Sequence, residues 1–244
     1  MGESCELSIV LPAYREADSL RQLLPKLTQA AAALTPDFEI VVVDSLTPLD
    51  DTQAVCEAAG VHHLFRRGGN KYGDAVRTGI AESRGRFVLL MDADGSHNPA
   101  DIERLFRERG RHDVIIGSRY ISGGKTENPA TLIFLSFVVN WTYRLAFGLR
   151  VRDVSNSFRL YRGDQLRALH LDSDDFEIVQ EILIRLASGT SRASVTEVPV
   201  KFEKRKAGES KRNLLAFSIS YLRSILRLRR FRARAIAEAR GAAT

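Results

Sequence analysis

The chain has 244 residues, 44% of them hydrophobic, which predicts one large globular domain with or without an appendage. Its two cysteines, Cys5 and Cys56, lack the spacing of metal ligands. This excludes a disulfide scaffold and a cysteine metal site, and it predicts reduced thiols in the cytosol. A core-like strand begins by Leu7, so we expect no signal peptide.

The net charge of +6 belongs to the C-terminal fifth of the chain. Residues 201–244 carry 13 Lys or Arg against 3 Glu, so the first 200 residues are net acidic. A basic segment of this kind suits nucleic acid, anionic lipid or an anionic substrate. Charge alone leaves these three partners open.

The first 120 residues alternate short apolar strands with amphipathic helices. Strands are predicted at residues 7–12, 38–43, 62–65, 87–91 and 113–117. Helices are predicted after Asp18, where Leu20, Leu23, Leu24 and Leu27 share one face, and at residues 51–59, 74–83 and 98–109. This alternation predicts an α/β fold with a mostly parallel sheet and helices on both faces.

The pattern changes beyond Tyr120. Residues 128–143 carry no charge over sixteen positions, fewer than the roughly 20 apolar residues that a spanning helix needs. The segment predicts a helix at residues 129–147 that is either buried in the core or lies in a membrane interface. A further helix is predicted at residues 176–187, and a strand at residues 195–202 leads into a basic loop at residues 204–212.

The predicted helix at residues 176–187 places Glu177 and Glu181 one turn apart. One interpretation is that a carboxylate of this pair orients residues of the basic loop or assists an acceptor. A solvated helix face explains the pair equally well.

The last predicted helix begins near Asn213. One apolar stripe along it is formed by Leu215, Ile219, Leu222 and Leu226. From Arg223 onward, arginine dominates the remaining positions. This composition predicts a basic amphipathic helix at a membrane surface, and a helix packed on the domain is the alternative.

The strand at residues 87–91 ends in two carboxylates, Asp92 and Asp94, one residue apart. In an extended segment, residues two apart point the same way, so both acids can face one ligand at the carboxyl edge of the sheet. Paired carboxylates suit a hard divalent cation, Mg²⁺ or Mn²⁺, which neutralises phosphate oxygens. Solvated loop acids are the alternative.

Other residues converge on the same edge of the predicted sheet. Glu16 and Asp44 also follow parallel strands, and their side chains are therefore expected beside Asp92 and Asp94. Residues 68–73 form a glycine-rich loop-to-helix junction whose N–H groups can hold an anion. We predict one binding edge rather than scattered loop acids.

Six motifs, in order along residues 7–212, resemble those of the inverting family 2 glycosyltransferases. They are Pro12-Ala-Tyr-Arg-Glu16, the strand end Val-Val-Asp44, Asn70-x-x-Gly-Asp-Ala-Val-Arg-Thr-Gly79, Asp92-Ala-Asp94, Gly117-Ser-Arg-Tyr120 and Arg205-x-x-Gly-x-Ser-Lys211. The family's Asp-x-Thr-Ser-Gly-Phe-Arg segment corresponds to Asp153-Val-Ser-Asn-Ser-Phe-Arg159. The likeness is strongest to dolichol-phosphate mannose synthases and other polyprenyl-phosphate glycosyltransferases.

The resemblance implies a GT-A fold that binds a nucleotide-diphospho-sugar together with a divalent metal. Its donor contacts correspond to Pro12, Tyr14, Glu16, Asp44, Asp92 and Asp94. Its metal ligands correspond to Asp92 and Asp94, with Ser96 where the family carries a glutamine. Its catalytic contacts correspond to Asp94, to the phosphate-gripping Arg119, and to Arg205 and Lys211 of the closing basic loop.

The activity that the resemblance implies is inverting transfer of a hexose, above all mannose from GDP-mannose, to a polyprenyl phosphate. An ionised phosphate acceptor needs no strong general base, so the enzyme has to align the partners and stabilise the leaving diphosphate. A same-fold enzyme that uses UDP-glucose or another donor, with a glycan, metabolite or other lipid as acceptor, is the first alternative. A non-catalytic module that binds membrane or nucleic acid is the second.

The expected organisation is a catalytic domain at residues 1–212, followed by a basic amphipathic helix and tail at residues 213–244. We expect the protein in the cytoplasm, attached peripherally to the cytoplasmic face of the membrane through anionic lipid. We expect no nucleic-acid partner. Because the protein offers few metal ligands, the phosphates of the donor are expected to complete the coordination.

Overall fold

The computed structural model describes residues 4–188, 193–203, 221 and 223–233. Its strands are β1 (Leu7–Pro12), β2 (Phe38–Asp44), β3 (His62–Phe65), β4 (Phe87–Leu90), β5 (Val114–Ser118), β6 (Lys125–Thr126), β7 (Arg159–Arg162), β8 (Val195–Pro199) and β9 (Lys201–Phe202). Its helices are α1 (Ala17–Ala32), α2 (Thr52–Ala59), α3 (Tyr72–Glu82), α4 (Ile102–Arg107), α5 (Ala130–Phe147), α6 (Gly163–Arg167) and α7 (Ile178–Ser188). Residues 223–233 are also helical.

A seven-stranded sheet in the order β3-β2-β1-β4-β7-β5-β8 forms the centre of the fold. β1 pairs in parallel with β2 and β4, β2 with β3, and β5 with β8, whereas β7 runs antiparallel between β4 and β5. The prediction of a mostly parallel sheet is confirmed. The carboxyl ends of β1, β2, β4 and β5 therefore meet at one edge.

Alternate residues of the strands enter two hydrophobic layers. In β1, Ile9 packs in the layer that α1 and α4 cover, and Val10 packs in the layer that α3 and α7 cover. The leucines predicted to share one face of α1 are all buried: Leu20, Leu23, Leu24 and Leu27. Helices on both faces of the sheet are confirmed, and burial of both strand faces explains the nearly continuous apolar runs.

The strand β7 escaped prediction because an arginine at each end shortens its apolar run. Arg159 is nonetheless fully buried. The backbone carbonyls that accept from its guanidinium are those of Val154, Asn156 and Val179. Since β7 is antiparallel, it begins at the edge where β4 and β5 end, and it brings residues 153–158 to that edge.

The single strand predicted at residues 195–202 is two strands with different partners. β8 pairs with β5, whereas β9 pairs with β6 in a separate two-stranded ribbon. Phe202 of β9 also forms an isolated antiparallel bridge to His97. The extended sequence pattern continues through the point where the hydrogen-bonding partner changes, so the pattern did not reveal the break.

Three helix boundaries differ from the prediction. The helix expected at residues 98–109 is a 3₁₀ turn at Pro99–Asp101 followed by the short helix α4. The helix α3 begins at Tyr72, two residues early, and α7 begins at Ile178, two residues late. Helix ends fray and are set by local contacts, which makes them the least certain part of a sequence-based assignment.

The uncharged segment after Tyr120 forms α5, which is mostly exposed. Phe134 and Leu145 are each 65% exposed, and Phe137 is 62% exposed. A helix buried in the core is therefore wrong for this segment. The buried positions of α5 are Asn140, Tyr143 and Phe147. Within the described part of the chain, α5 alone is long and apolar enough to cross a membrane, and this is weak evidence by itself.

The helix of residues 223–233 packs on the domain along one face. Leu228 is fully buried, and Ser224 is 2% exposed. The ring of Tyr221 lies 6.0 Å from that of Tyr143 in α5, measured between centroids. For this face, the alternative of a helix packed on the domain is the correct one.

Leu226, the one described member of the predicted apolar stripe, does not lie on the face that the domain covers. Leu226 is 60% exposed, and the arginines at positions 223, 229 and 230 are exposed as well. The remaining members of the stripe, Leu215, Ile219 and Leu222, lie outside the described residues. Contact between this stripe and a membrane surface stays a prediction.

Candidate active site

The donor residues expected from the sequence lie at the carboxyl ends of neighbouring strands. Pro12 ends β1, Asp44 ends β2, and Asp92 follows β4 by two residues. The strands β2, β1 and β4 are adjacent in that order, and neighbouring strands lie about 4.8 Å apart, so these three positions fall within about 10 Å along the edge. The predicted convergence of the strand ends is present in the structure.

Two hydroxyl groups fix the direction of the Asp92 carboxylate. The Tyr72 hydroxyl donates to Oδ1 at 2.9 Å, and the Ser157 hydroxyl donates to Oδ2 at 2.8 Å. The Tyr72 ring is itself stacked on Phe176 with 4.3 Å between centroids. Each carboxylate oxygen has two lone pairs, so both oxygens of Asp92 keep acceptor capacity for a ligand.

Ser96 holds the second carboxylate of the pair. Its backbone N–H donates to Asp94 Oδ1 at 3.0 Å, and its hydroxyl donates to the same atom at 2.5 Å. Ser96 is 1% exposed. The structure therefore gives Ser96 an orienting role toward Asp94, and direct coordination of a metal by Ser96 stays a prediction.

His97 connects the backbone of the Asp92–Asp94 loop to Asn156. Its Nδ1 lies 3.2 Å from the backbone nitrogen of Asp92, and its Nε2 lies 3.0 Å from Asn156 Oδ1. The imidazole is stacked on Phe158 at 4.9 Å and meets Phe202 edge-on at 5.2 Å, between centroids. Both ring nitrogens are occupied within the protein, so His97 does not face a ligand.

At the end of β2, Asp44 is buried and its carboxylate is held on both oxygens. The backbone N–H and the hydroxyl of Ser45 donate to Oδ1 at 2.7 and 3.2 Å. His63 Nε2, on the neighbouring strand β3, lies 3.3 Å from Oδ2. The contact with His63 had no signal in the sequence, because it depends on the register of β2 against β3.

The loop between β1 and α1 carries the other two expected donor contacts. Glu16 accepts a hydrogen bond from the Ser19 hydroxyl at 3.0 Å at the start of α1. Between Tyr14 and Glu16, Arg15 has a φ of +57° and is the one non-glycine residue of the described chain in the left-handed region. Strain of this kind persists only where surrounding contacts impose it, and it is common in ligand-binding loops.

Arg66 joins the loops on this side of the site. The backbone carbonyls that accept from its guanidinium are those of Ala13, Asp44, Asn70 and Lys71. Its guanidinium carbon also lies 5.7 Å from the ring centroid of Tyr14. Burial lowers the pKa of Arg66, and the nearby Asp44 and Asp74 carboxylates oppose that shift.

Arg119, which follows β5, is buried in an ion pair with Asp153. Its Nε and Nη2 donate to the two carboxylate oxygens, each at 2.8 Å. Burial alone would raise the pKa of Asp153, but the Arg119 guanidinium outweighs burial and holds that pKa below its ordinary value. The same pairing outweighs burial at Arg119 and raises its pKa. The guanidinium is thus fixed in place, and its contact with a phosphate stays a prediction.

The junction before α3 already holds an anion that belongs to the chain. Asp74 Oδ2 accepts from the backbone N–H of Lys71 at 3.0 Å. A Cβ added at Gly69 would lie 2.6 Å from the same oxygen. Asp74 thus accepts from this N–H at the capping position of the helix, and binding of an external anion by residues 68–73 stays a prediction.

Glu177 and Glu181 are 6% and 0% exposed, which rules out a solvated helix face. Glu181 accepts from the backbone N–H groups of Asp172 and Ser173 and pairs with Arg185 at 2.8 Å. Burial alone would raise the pKa of Glu181, but the Ser173 hydrogen bonds and these other partners lower it. Glu181 therefore anchors the segment that precedes α7.

Arg205 and Lys211, the expected contacts of the closing basic loop, lie outside the described residues. Glu203, the last described residue before that loop, donates its backbone N–H to the Ser96 carbonyl at 2.8 Å. This hydrogen bond places Glu203 next to the Asp92–Asp94 loop.

A divalent metal fits this edge when a ligand shares its coordination. Asp92 and Asp94 supply hard oxygen donors of the kind that Mg²⁺ and Mn²⁺ prefer. Among the residues that the structure describes, no group of three or more His, Cys, Asp or Glu is arranged to hold a metal ion. The two carboxylates therefore leave coordination positions that phosphate oxygens would fill.

Sequence reasoning missed the residues that hold the carboxylates in place. Tyr72 reaches the Asp92–Asp94 loop from α3, and Asn156 and Ser157 reach it from the segment before β7. The resemblance marked residues 153–159 as a corresponding segment without assigning contacts to it. That correspondence was the one signal in the sequence that pointed to this part of the site.

Solved structures with the same fold show which class of protein has this architecture. Glucosyl-3-phosphoglycerate synthase from Mycobacterium tuberculosis, in complex with phosphoglyceric acid, aligns with a TM-score of 0.69 at 16% identity, over 93% of this chain and 80% of that one. Its complex with Mn²⁺, uridine diphosphate and glucosyl-3-phosphoglycerate aligns with a TM-score of 0.66 at 17% identity over the same shares. At such identities the likeness shows the fold alone, which is that of the GT-A glycosyltransferases.

The sequence places the chain more narrowly within that class. The family model described as Glycosyl transferase family 2 matches residues 8–169. The undecaprenyl-phosphate mannosyltransferase of Micrococcus luteus is 35% identical over 83% of this chain and 85% of its own length. The dolichol-phosphate mannosyltransferase of Pyrococcus furiosus is 32% identical over 91% of this chain and 63% of its own length. The chain belongs to glycosyl transferase family 2, and it is a glycosyltransferase.

Proposed function

We propose that the chain transfers mannose from GDP-mannose to a polyprenyl phosphate, with inversion at the anomeric carbon. The Micrococcus and Pyrococcus relatives carry names that describe mannosyl transfer to such lipids. A third relative, the polyprenol monophosphomannose synthase of Mycolicibacterium smegmatis, is 32% identical over 83% of this chain and 79% of its own length. Agreement among three relatives over most of the chain supports the sugar and the acceptor class together.

The observation that carries the proposal is the short connection between the carboxylate edge and an exposed apolar helix. β9 bridges to His97 and pairs with β6, and Glu127 donates its backbone N–H to the carbonyl of Phe202. The helix α5 begins at Ala130, three residues after Glu127, so its start lies within about 11 Å of this ribbon. A lipid whose phosphate must reach the donor suits an apolar surface at that distance.

The reaction needs little covalent chemistry from the protein. An ionised oxygen of the acceptor phosphate forms a bond to the anomeric carbon, and the bond from that carbon to the donor diphosphate breaks. The leaving nucleoside diphosphate takes the electron pair. A phosphate monoester carries about 1.5 to 2 negative charges at pH 7, so its attack needs no strong general base. The chain has to align the two substrates and favour the charge that develops on the diphosphate.

The described residues divide this work between the two sides of the edge. We assign the nucleoside to Pro12, Tyr14, Glu16 and Asp44. We assign the diphosphate to the side of Asp92 and Asp94, where a bound Mg²⁺ or Mn²⁺ would act as a Lewis acid. Arg119 presents a fixed guanidinium beyond β7, and Arg205 and Lys211 are assigned to the closing loop. Tyr72, Ser157 and Ser96 keep the two carboxylates in one orientation.

The exposed face of α5 supports peripheral attachment to a membrane. Its residues Phe134, Phe137, Trp141 and Leu145 repeat at intervals of three and four, so they form one stripe on the helix. The buried residues Asn140, Tyr143 and Phe147 tie the opposite part of α5 to the domain. A helix with one docked side and one apolar exposed side is suited to lie in the interface rather than to cross the bilayer. We place this surface on the cytoplasmic face.

The test is a transfer assay with purified full-length chain. The protein is incubated with Mn²⁺, a short polyprenyl phosphate in mild detergent, and either GDP-mannose or UDP-glucose, and the lipid product is identified by mass spectrometry. We expect a mannosyl phosphoryl polyprenol with GDP-mannose, little product with UDP-glucose, and none after addition of EDTA.

Two further acceptors in the same assay define the outcome that would overturn the proposal. 3-Phosphoglycerate and a free polyprenol replace the polyprenyl phosphate in separate reactions. Turnover with either of these and none with the polyprenyl phosphate would assign a different acceptor to the same fold. Product that forms equally well with Asp94→Asn protein would remove the carboxylate edge from the mechanism.

A further inference from the structure

His97 occupies a position that packing alone does not require. It is 1% exposed, lies three residues after Asp94, and its ring sits between Phe158 and Phe202. A phenylalanine would satisfy that aromatic packing. The two ring nitrogens instead connect the backbone of Asp92 to the side chain of Asn156.

The hydrogen-bond partners define the tautomer of this ring. The backbone nitrogen of Asp92 is a donor, so Nδ1 of His97 accepts, at 3.2 Å. The amide nitrogen of Asn156 donates to the carbonyl of Gly117 at 2.6 Å, which leaves Asn156 Oδ1 as the acceptor that faces the imidazole. Nε2 of His97 therefore carries the proton and donates to Oδ1 at 3.0 Å. The ring thus presents one acceptor and one donor in fixed directions.

The hydrogen bonds continue from Asn156 through Asp153 to Arg119. The backbone N–H of Asn156 donates to Asp153 Oδ1 at 3.1 Å. That same carboxylate holds Arg119 through two hydrogen bonds of 2.8 Å. One continuous series of hydrogen bonds therefore connects the backbone of Asp92 with the guanidinium of Arg119, and every bond after the first is buried. It passes through the segment that the antiparallel strand β7 brings to this edge.

We propose that His97 and Asn156 are positioning residues for the metal-binding carboxylates of the glycosyl transfer reaction. The backbone N–H of Asp92 lies just past the end of β4, where the sheet no longer supplies a partner. Its bond to His97 fixes the peptide plane before Asp92 and therefore the direction in which the Asp92 side chain leaves the backbone. Asn156 fixes the imidazole and ties this plane to Asp153. The inference rests on the proposed use of a divalent metal at this edge.

The expected size of the effect follows from the behaviour of residues that orient metal ligands. Substituting such a residue typically weakens metal affinity by about 10- to 100-fold. A residue that merely fills the core would lower stability while leaving the affinity of the folded protein for the metal unchanged. Metal affinity and stability therefore separate the two roles.

Two substitutions of His97 form a matched pair. In His97→Asn, the side-chain oxygen occupies the place of Nδ1 and can still accept from the Asp92 N–H. In His97→Gln, the terminal amide reaches the place of Nε2 and can still contact Asn156, while the acceptor for Asp92 is lost. Both variants lose the ring between Phe158 and Phe202, so both lose the stability that these ring contacts provide.

The primary measurement is the affinity for Mn²⁺ in the presence of saturating GDP, from the electron paramagnetic resonance signal of free Mn²⁺. We expect His97→Gln to raise the dissociation constant at least 10-fold, and His97→Asn to stay within about 3-fold of wild type. Asn156→Ala is expected to fall between them, because it frees the imidazole without removing it. The melting temperatures of the two His97 variants should be similar.

Equal Mn²⁺ affinities for His97→Asn and His97→Gln would overturn the proposal and leave His97 as a core residue. Wild-type protein that fails to bind Mn²⁺ with GDP or UDP would instead contradict the proposed metal use. The positioning role then has its own readout in amide hydrogen exchange of the metal-free protein. The Asp92 amide should exchange faster in His97→Gln than in His97→Asn, and equal rates would overturn the role independently of any metal.

Discussion

The Asp92–Asp94 loop and the outer face of α5 differ in where their side chains find contacts. In the loop, Tyr72 and Ser157 hold one carboxylate, and Ser96, which is 1% exposed, holds the other. On α5, Phe134 is 65% exposed and Trp141 is 54% exposed. The polar site is organised within the protein, whereas the apolar face is open to its surroundings.

The difference follows from the cost of leaving each kind of group unsatisfied. A buried polar group without a partner costs about 1–3 kcal/mol, so the partly buried carboxylates and the buried Ser96 beside them are hydrogen-bonded within the protein. An apolar patch that is exposed to water raises the free energy of the protein, and contact with an apolar environment lowers it again. The first region is prepared before any ligand binds, and the second is suited to a partner outside the chain.

The largest expected effect comes from breaking the buried ion pair at the polar region. Asp153→Asn leaves the guanidinium of Arg119 buried without its counter-charge, which should lower the free energy of unfolding by about 3–5 kcal/mol. Urea unfolding measures the difference. As a control, Glu103→Gln removes the exposed pair with Arg107 and should cost less than about 1 kcal/mol. Equal losses in the two variants would contradict the contrast between buried and exposed pairs.

The loss of stability in Asp153→Asn should depend on pH. The pKa of Asp153 is lowered in the folded protein, because pairing with Arg119 outweighs the effect of burial. Its contribution to stability is therefore complete above the ordinary aspartate pKa of about 3.9, and it is lost as the pH falls through the folded value. The stability gap between wild type and Asp153→Asn should narrow as the pH is lowered below about 4. A gap of constant size from pH 7 to pH 3 would show that the charge of Asp153 is not responsible.

Removing one carboxylate of the loop tests the polar region through activity. Asp94→Asn keeps the shape of the side chain and removes its charge, so kcat/KM for mannosyl transfer should fall by about 10²- to 10³-fold. The melting temperature should change little, since Asp94 is only partly buried. Asp18→Asn, at an exposed position paired with Arg21, serves as the control and should retain activity. An active Asp94→Asn enzyme would place the reaction elsewhere.

The apolar region is tested by making its surface polar. The double substitution Phe134→Ser and Phe137→Ser should lower partitioning onto anionic vesicles about 100-fold, because each side chain contributes about 1.4 kcal/mol of apolar burial. Vesicle sedimentation measures the partitioning, and urea unfolding should show no loss of stability. Leu46→Ser alters an exposed apolar residue outside α5 and should leave binding unchanged. Equal effects of the two changes would remove α5 as the docking face.

The smallest expected effect concerns the arginines beside this region. Arg229 and Arg230 are exposed on the helix of residues 223–233. Their replacement by Gln should weaken vesicle binding about 30-fold at low salt, from about 1 kcal/mol for each charge near an anionic surface. The difference should shrink at high salt, because exposed charges are screened. Arg67→Gln with Arg111→Gln removes two exposed arginines elsewhere and provides the control.

Point substitutions are preferable to truncation for this last test. Leu228 is fully buried and Ser224 is 2% exposed, so removal of the helix would uncover the side of α5 that carries Tyr143. A truncated chain would then expose core surface to vesicles. Loss or gain of binding in such a chain would not report on the arginines.

Much of the sheet and of the acidic edge was predictable from local patterns. The strands predicted at residues 7–12, 38–43 and 87–91 are recognisable as apolar runs that stop at turn or acidic residues. Because parallel strands share an exit edge, the convergence of these ends follows without knowledge of the tertiary structure. The helix at α5 was also predicted, although its sequence fits a buried helix as well as an exposed one.

Other features depend on segments that are distant in sequence. Arg119 meets Asp153 across 34 positions, and His97 meets Asn156 across 59. β7 could not be predicted as a buried strand, because it begins with Arg159 and arginine usually lies at the surface. Only the carbonyls supplied by neighbouring segments make that burial tolerable.

Local periodicity and local motifs were enough to predict the α/β architecture, the family, and the acids at the carboxyl ends of β2 and β4. Two further features depend on the assembled chain: α5 keeps its apolar face exposed, and the face of the helix of residues 223–233 that packs on the domain is the one with Leu228. The physical reason is the same in each case. Hydrogen-bond partners and burial are properties of the assembled chain, and residues far apart in sequence supply them.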